Sequence, residues 1–312
     1  KPPIQPLRDV DAAIRYAINH PLGCEPLYAK LRPGMKVTIA VDDISLPLPP
    51  MRGPGVRERV LEIVLALMAD HGVDDIEIIV ATGIHRRMKA AEVRHMVGRR
   101  VFEAYWPDRL YNHDAEDRDN LVEVATTDHG EVIEMNRRAV DSDLIVYVNL
   151  NFVPMDGGHK SLMCGLTSYR SLASHHNPET IRACDGYMDP HKSELATRVW
   201  RMGRLANQKL NVFTIETTVN NRMFDRPLEF LAKNEDDLDA RERALLKGLV
   251  MTTARLPQVA RQAVFDRFPA PYGVTGVWAG ETEAVHEKTL ERCYEQYLVP
   301  FEGQADVLVC GI

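Results

Sequence analysis

Three short apolar runs each lead into a cluster of glycine and polar side chains, and this repetition constrains the fold more than any other feature. Residues 36–41, 75–81 and 143–149 are dominated by Val, Ile and Ala or Leu, the pattern of strands buried on both faces. The first runs into Asp42-Asp43-Ile44-Ser45 and the second into Thr82-Gly83-Ile84-His85-Arg86-Arg87. The third leads, a few residues on, to Asp156-Gly157-Gly158-His159-Lys160. Between the first two, Val56, Val60, Ile63, Val64, Leu67 and Met68 recur at helical spacing. That helix starts after Pro54, which suits a first turn, and stops at His71-Gly72. Strands alternating with helices predict a parallel sheet. Parallel strands present their C-terminal ends on one edge, where open α/β sheets bind ligands. The three clusters are therefore expected to share one cleft.

The rest of the chain continues in kind. Residues 89–98 read as a helix, the stretch from His176 to about Gln208 as mostly helical, and 212–218 as another strand. Residues 235–267 read as a long helical stretch interrupted at Pro257. Residues 273–280 and 305–311 read as strands around a helix at 281–297, an order that suggests the start of a second α/β unit. The expected division is 1–255 for the first domain and 256–312 for a connecting helix and an incomplete second domain. A length of 312 residues suits roughly two domains. The net charge of -7 argues against a general affinity for nucleic acid or for an anionic membrane surface. No apolar run approaches the roughly 20 residues that span a bilayer, and the first residues lack an apolar signal core. Cys24, Cys164, Cys184, Cys293 and Cys310 are widely spaced and form no zinc-type pair, so a reducing, cytoplasmic setting is expected.

Each polar cluster admits a plain and a chemical reading. The paired glycines let the backbone turn sharply and approach a ligand, or simply make a turn. Lys160 can pair with phosphate, act as a nucleophile if burial lowers its pKa, or be a solvated turn lysine. Asp43 and Ser45 can meet a ligand, or bond local N–H groups in an Asx-type turn. His85 is placed as an acid/base or as an exposed loop histidine. His113 reads as a structural ring fixed by Asp114. His71 reads as a helix C-terminal residue meeting free carbonyls. Met163, Met188, Met202 and Met223 read as core filler.

Taken in order, these stretches resemble the nickel-dependent lactate racemase family. The resemblance rests on Pro21-Leu22-Gly23, Asp42-Asp43-Ile44-Ser45-Leu46-Pro47, Ala81-Thr82-Gly83-Ile84-His85-Arg86, Asn112-His113-Asp114, Gly157-Gly158-His159-Lys160 with Gly165, and Ala279-Gly280 before Glu283-Ala284-Val285-His286. It implies a three-layer, Rossmann-like α/β fold with a largely parallel sheet. It also implies a nickel-pincer nucleotide attached covalently at Lys160, with His176 completing the nickel coordination, as imidazole and sulfur donors suit nickel. Asp43, Ser45, Thr82, Gly83, Gly157 and Gly158 would line the cofactor, and His85 would be one of two catalytic acid/base histidines. The implied reaction is racemisation or epimerisation of a 2-hydroxy acid by reversible hydride transfer, and cofactor-maturation enzymes are implied partners.

The chain departs from the family pattern at two places. Leu150 stands where the second catalytic histidine belongs, and Leu46 stands where an arginine grips the substrate carboxylate. Lactate itself is therefore not the expected substrate. His175 is the expected replacement acid/base, ahead of His159 and His113, with Arg52 or Arg86 as replacements for the arginine. The alternative is a non-catalytic or divergent relative that binds a nucleotide or small acid in the same cleft.

Overall fold

The computed structural model describes residues 1–44, 49–266, 268–299 and 303. Its strands are β1 (Lys36–Asp42), β2 (Asp75–Ala81), β3 (Leu110–Asn112), β4 (Leu121–Thr126), β5 (Val132–Asn136), β6 (Leu144–Asn151), β7 (Val212–Val219) and β8 (Val274–Gly280). Six of them form one sheet in the order β3-β2-β1-β6-β7-β8, while β4 and β5 make a separate antiparallel hairpin. All pairings in the main sheet are parallel except β7 with β8. From β1 the chain moves outward to β2 and then β3; β6 returns to the other side of β1 and begins the opposite half. The β1/β6 boundary is thus the point where strand order reverses, which is where such sheets open a crevice at their C-terminal edge.

The period-2 alternation sorts the apolar strand residues into two layers. Val37, Ile39 and Val41 of β1, with Val146 and Val148 of β6, face a core shared with Ile14, Val60 and Val64 of the helices Val10–Asn19 and Val56–Asp70. Ala40, Ile79, Ile145 and Tyr147 face the opposite core, with Leu162, Met163, Val199 and Met202. The helices His159–Gly165 and Glu194–Asn207 supply those last four. Helices therefore cover both faces of a mostly parallel sheet, which is the expected three-layer α/β class. The Val56–Asp70 helix ends as its sequence indicated: His71 caps it and its Nδ1 lies 2.8 Å from the Leu67 carbonyl oxygen.

One expectation is met and one is corrected. The helical stretch after 235 is interrupted at Pro257, as expected. A short 3-10 turn precedes separate helices at Ala240–Ala254 and Gln258–Asp266, with Pro257 in the break, where a proline cannot continue the hydrogen-bond ladder. The strand near 274 does not open a second sheet. β8 pairs antiparallel with β7 and forms the edge of the main sheet, and the Thr282–Tyr297 helix packs against β7 and β8. An antiparallel edge strand on a parallel sheet is a common arrangement, and local sequence does not encode the partner. The amino-terminal segment covers this edge: Leu7 N–H donates to the Val274 carbonyl (2.8 Å) and Leu22 N–H to the Ala279 carbonyl (2.8 Å). The strand expected at 305–311 lies outside the described residues. No described helix is long and apolar enough to cross a membrane.

Candidate active site

The C-terminal ends of β1, β2 and β6 and the start of the His159–Gly165 helix enclose one cavity. Its wall includes Asp43 after β1, Thr82, Gly83 and His85 after β2, Leu150 of β6, and Lys160 and His176. The three clusters predicted to share a cleft do share one. Ser45 and Leu46 lie outside the described residues.

His85 Nδ1 lies 3.2 Å from Asp43 Oδ2 and 3.3 Å from Oδ1. The hydrogen bond to Asp43 raises the His85 pKa above its ordinary value, more than its partial burial lowers it. With Nδ1 directed at a carboxylate, Nε2 is the nitrogen left for proton exchange. Asp43 is itself largely buried, with a side chain 9% exposed, so it acts here as the orienting group. Next to it, Arg57 grips Asp42 through two nitrogens, Nε donating to Oδ1 at 2.7 Å. Thr82 Oγ1 donates to the His113 carbonyl at 2.9 Å and so ties the β2 end to the chain after β3.

The glycine pair works through its backbone. Gly157 and Gly158 have φ of +87° and +58°, a region that side chains rarely adopt. A Cβ on Gly158 would stand 2.8 Å from Cδ2 of His286. The turn is held by the buried carboxylate of Glu216 on β7, which accepts from Gly158 N–H at 2.6 Å and from Asn151 Nδ2 at 2.9 Å. Glu216 also meets Thr289 and His286. Burial alone would raise the Glu216 pKa; His286 and these donors outweigh it and lower it. The turn thus delivers Lys160 to the first helical turn and to the cavity wall, where Nζ stands 3.6 Å from Asp156.

His176 also lines the cavity. Burial first, then the positive charges of Lys160 and His85, lower its pKa, so its ring is neutral and has a lone pair to offer. His176 Nδ1 lies 2.8 Å from Nδ1 of His175. Cys164, one turn after Lys160 on the same helix, brings its Sγ to this pair: one donor atom from each of Cys164, His175 and His176 lies within 4.8 Å of the others. Neither Cys164 nor Arg57 was singled out as a site residue from sequence. The four-residue spacing from Lys160 to Cys164 on a helix was the available signal for the first.

The other expected replacements do not reach the cavity. His175 is wholly buried behind His176, and burial with the neighbouring imidazole depresses its pKa to about 3. That ring has no access to substrate, so the expected role of His175 as second acid/base is corrected. His159 is buried, with Nε2 2.8 Å from Glu283. His113 is buried and held by the Thr167 carbonyl (3.0 Å) and Asn136, not by Asp114, which pairs with Arg87. Leu150 does reach the wall, but as an apolar side chain. Arg52 pairs with Asp225 and Arg86 with Glu92; the described arginine on the wall is Arg57.

The sequence model of the family described as lactate racemase N-terminal domain matches residues 1–185, more than half of the 312. The chain belongs to that family. The lactate racemase of Thermoanaerobacterium thermosaccharolyticum is 24% identical over 178 residues, covering 54% of this chain and 38% of that protein. The lactate racemase of Lactiplantibacillus plantarum is 23% identical over 175 residues, covering 54% of this chain and 39% of that protein. The match therefore spans well under half the length of these relatives. The structure of the lactate racemase apoprotein from T. thermosaccharolyticum superposes with a TM-score of 0.63 at 17% identity, over 93% of this chain and 56% of that one. A crystal structure of a Thermotoga maritima protein superposes with a TM-score of 0.51 at 16% identity, over 68% and 51%. At these identities the superpositions establish the shared α/β fold.

Proposed function

We propose that this lactate racemase-family chain is an isomerase that racemises or epimerises a 2-hydroxy acid other than lactate, and that it holds a nickel-pincer nucleotide. The observation that carries the reading is the convergence of the His85–Asp43 pair, Lys160 and His176 on one cavity. The residues fit the group. A strained glycine turn fixed by Glu216 presents Lys160 for covalent attachment, and a neutral imidazole at His176 suits a borderline metal such as nickel. When bound, the cofactor supplies a reversible acceptor for the hydride of the substrate's α-carbon.

The chain's own residues do the rest. His85 Nε2 takes the hydroxyl proton when the carbinol is oxidised and returns it when the ketone is reduced, while Asp43 holds the ring through Nδ1. Thr82 fixes the loop that carries His85. Arg57 supplies positive charge at the wall to face a carboxylate, although it already shares that charge with Asp42. With Leu150 in the place of a second histidine, one face of the substrate has no matched imidazole. Both directions pass through the same two half-reactions, so the missing imidazole slows both, and their kcat/KM ratio stays fixed by the overall equilibrium.

The test is conversion of single enantiomers of a panel of 2-hydroxy acids, followed by chiral chromatography, on protein produced with the cofactor-maturation enzymes. At least one acid should convert, and His85→Ala should slow it by about 10²–10⁴-fold. Loaded protein that converts none of them, yet binds a small acid in the cavity, would replace this reading with a binding role.

A further inference from the structure

We propose that Cys164, His175 and His176 form a metal site made wholly of protein donors, which takes a divalent nickel, cobalt or zinc ion without any adduct on Lys160. This goes beyond the proposed reaction, which calls only on His176. One thiol and two imidazole donors lie mutually within 4.8 Å. Around a tetrahedral ion, donors at metal–sulfur and metal–nitrogen lengths of about 2.3 and 2.0 Å stand roughly 3.3–3.8 Å apart. Small side-chain rotations therefore close the set.

His175 is fully buried, and its Nδ1 faces the Nδ1 of His176. The two facing Nδ1 atoms at 2.8 Å share a single proton, and an ion in their place satisfies both lone pairs.

The donor chemistry selects the ion. Thiolate with imidazole suits nickel, cobalt and zinc, whereas magnesium and calcium prefer oxygen. On binding, the Cys164 thiol releases its proton to solvent as the sulfur–metal bond forms, so the ion's charge is offset by one thiolate. Cys164 and His176 both line the cavity, whereas His175 lies behind it. The fourth position therefore opens toward the cavity, as it does in catalytic rather than closed structural sites.

The experiment is a cobalt(II) titration of the full chain, expressed without maturation enzymes, read by visible and ultraviolet absorption and by metal content. Wild type is expected to bind one cobalt per chain, with a thiolate-to-cobalt charge-transfer band and the intense visible bands of tetrahedral geometry. Cys164→Ser should lose the charge-transfer band, and His175→Gln should weaken binding by about tenfold or more. Lys160→Ala should keep the wild-type spectrum, which separates this site from covalent cofactor attachment. Unfolding curves of each variant identify any that fail to fold, and in such a case alkylation of Cys164 in wild type, blocked by bound cobalt, gives the same reading. Absence of the band in wild type, or its retention in folded Cys164→Ser, overturns the proposal.

Discussion

His85 and Asp43 come from the ends of two neighbouring strands, and their contact sets how the site responds to pH. The carboxylate raises the imidazole pKa. Removing it in Asp43→Asn lowers that pKa, so the basic form of His85 persists to lower pH. The acidic limb of kcat/KM should therefore move to lower pH in Asp43→Asn, while maximal turnover falls because the ring loses its anchor. An acidic limb that stays in place would show that another group titrates. His85, Lys160 and His176 stand out in sequence because each sits in or near a local motif, and all three reach the same wall. Arg57 and Cys164 do not stand out, because each reads locally as one more residue of an amphipathic helix. Glu216, on β7, is hidden for a different reason: its importance lies in Gly158, Asn151, His286 and Thr289, which other elements bring to it.

The turn between β6 and the following helix depends on its glycines. Alanine at Gly158 must adopt a left-handed conformation and displace the His286 ring. The expected cost is about 1–3 kcal/mol, measured as a shift of the urea midpoint, together with loss of cofactor retention as Lys160 moves. Wild-type stability in Gly158→Ala would show that the turn is not strained. The strand ends were legible here because glycine and polar clusters after apolar runs have few other causes. The pairing of β8 was not, since a strand's own residues do not state whether it joins an existing sheet or begins another. Its neighbours leave a trace in retrospect: Leu22 N–H reaches the Ala279 carbonyl, and Glu281 N–H reaches the Leu22 carbonyl at 2.8 Å. Two of the family-like stretches, near 22 and near 280, are thus one contact.

At the scale of the whole molecule, the sheet buries apolar residues on both faces, and its interior also encloses histidines. His113, His159 and His175 are buried, and burial lowers the pKa of each. For His175 the folded value is about 3 against 6.5 when unfolded. Between these values the unfolded chain binds the extra proton. Stability from this group is therefore complete above about pH 6.5 and is lost progressively as pH falls toward 3. Metal-free protein should lose stability to urea across that window, and His175→Gln should flatten the slope. A slope unchanged in the variant would assign the acid sensitivity elsewhere. Fold class was legible from alternating strand and helix patterns, whereas the burial of these histidines was not, since imidazole occurs in cores and at surfaces alike.

The central claim is that Lys160 carries a nickel-pincer nucleotide facing His85 and His176. Intact-protein mass spectrometry with nickel analysis, after co-expression with the maturation enzymes, tests it most directly. The account predicts a covalent mass increase on wild type that localises to the peptide containing Lys160, accompanied by nickel. It predicts no increase in Lys160→Ala, and an adduct that holds nickel less well in His176→Ala. Fully matured wild-type protein of unmodified mass, or an adduct that persists in Lys160→Ala, would contradict it.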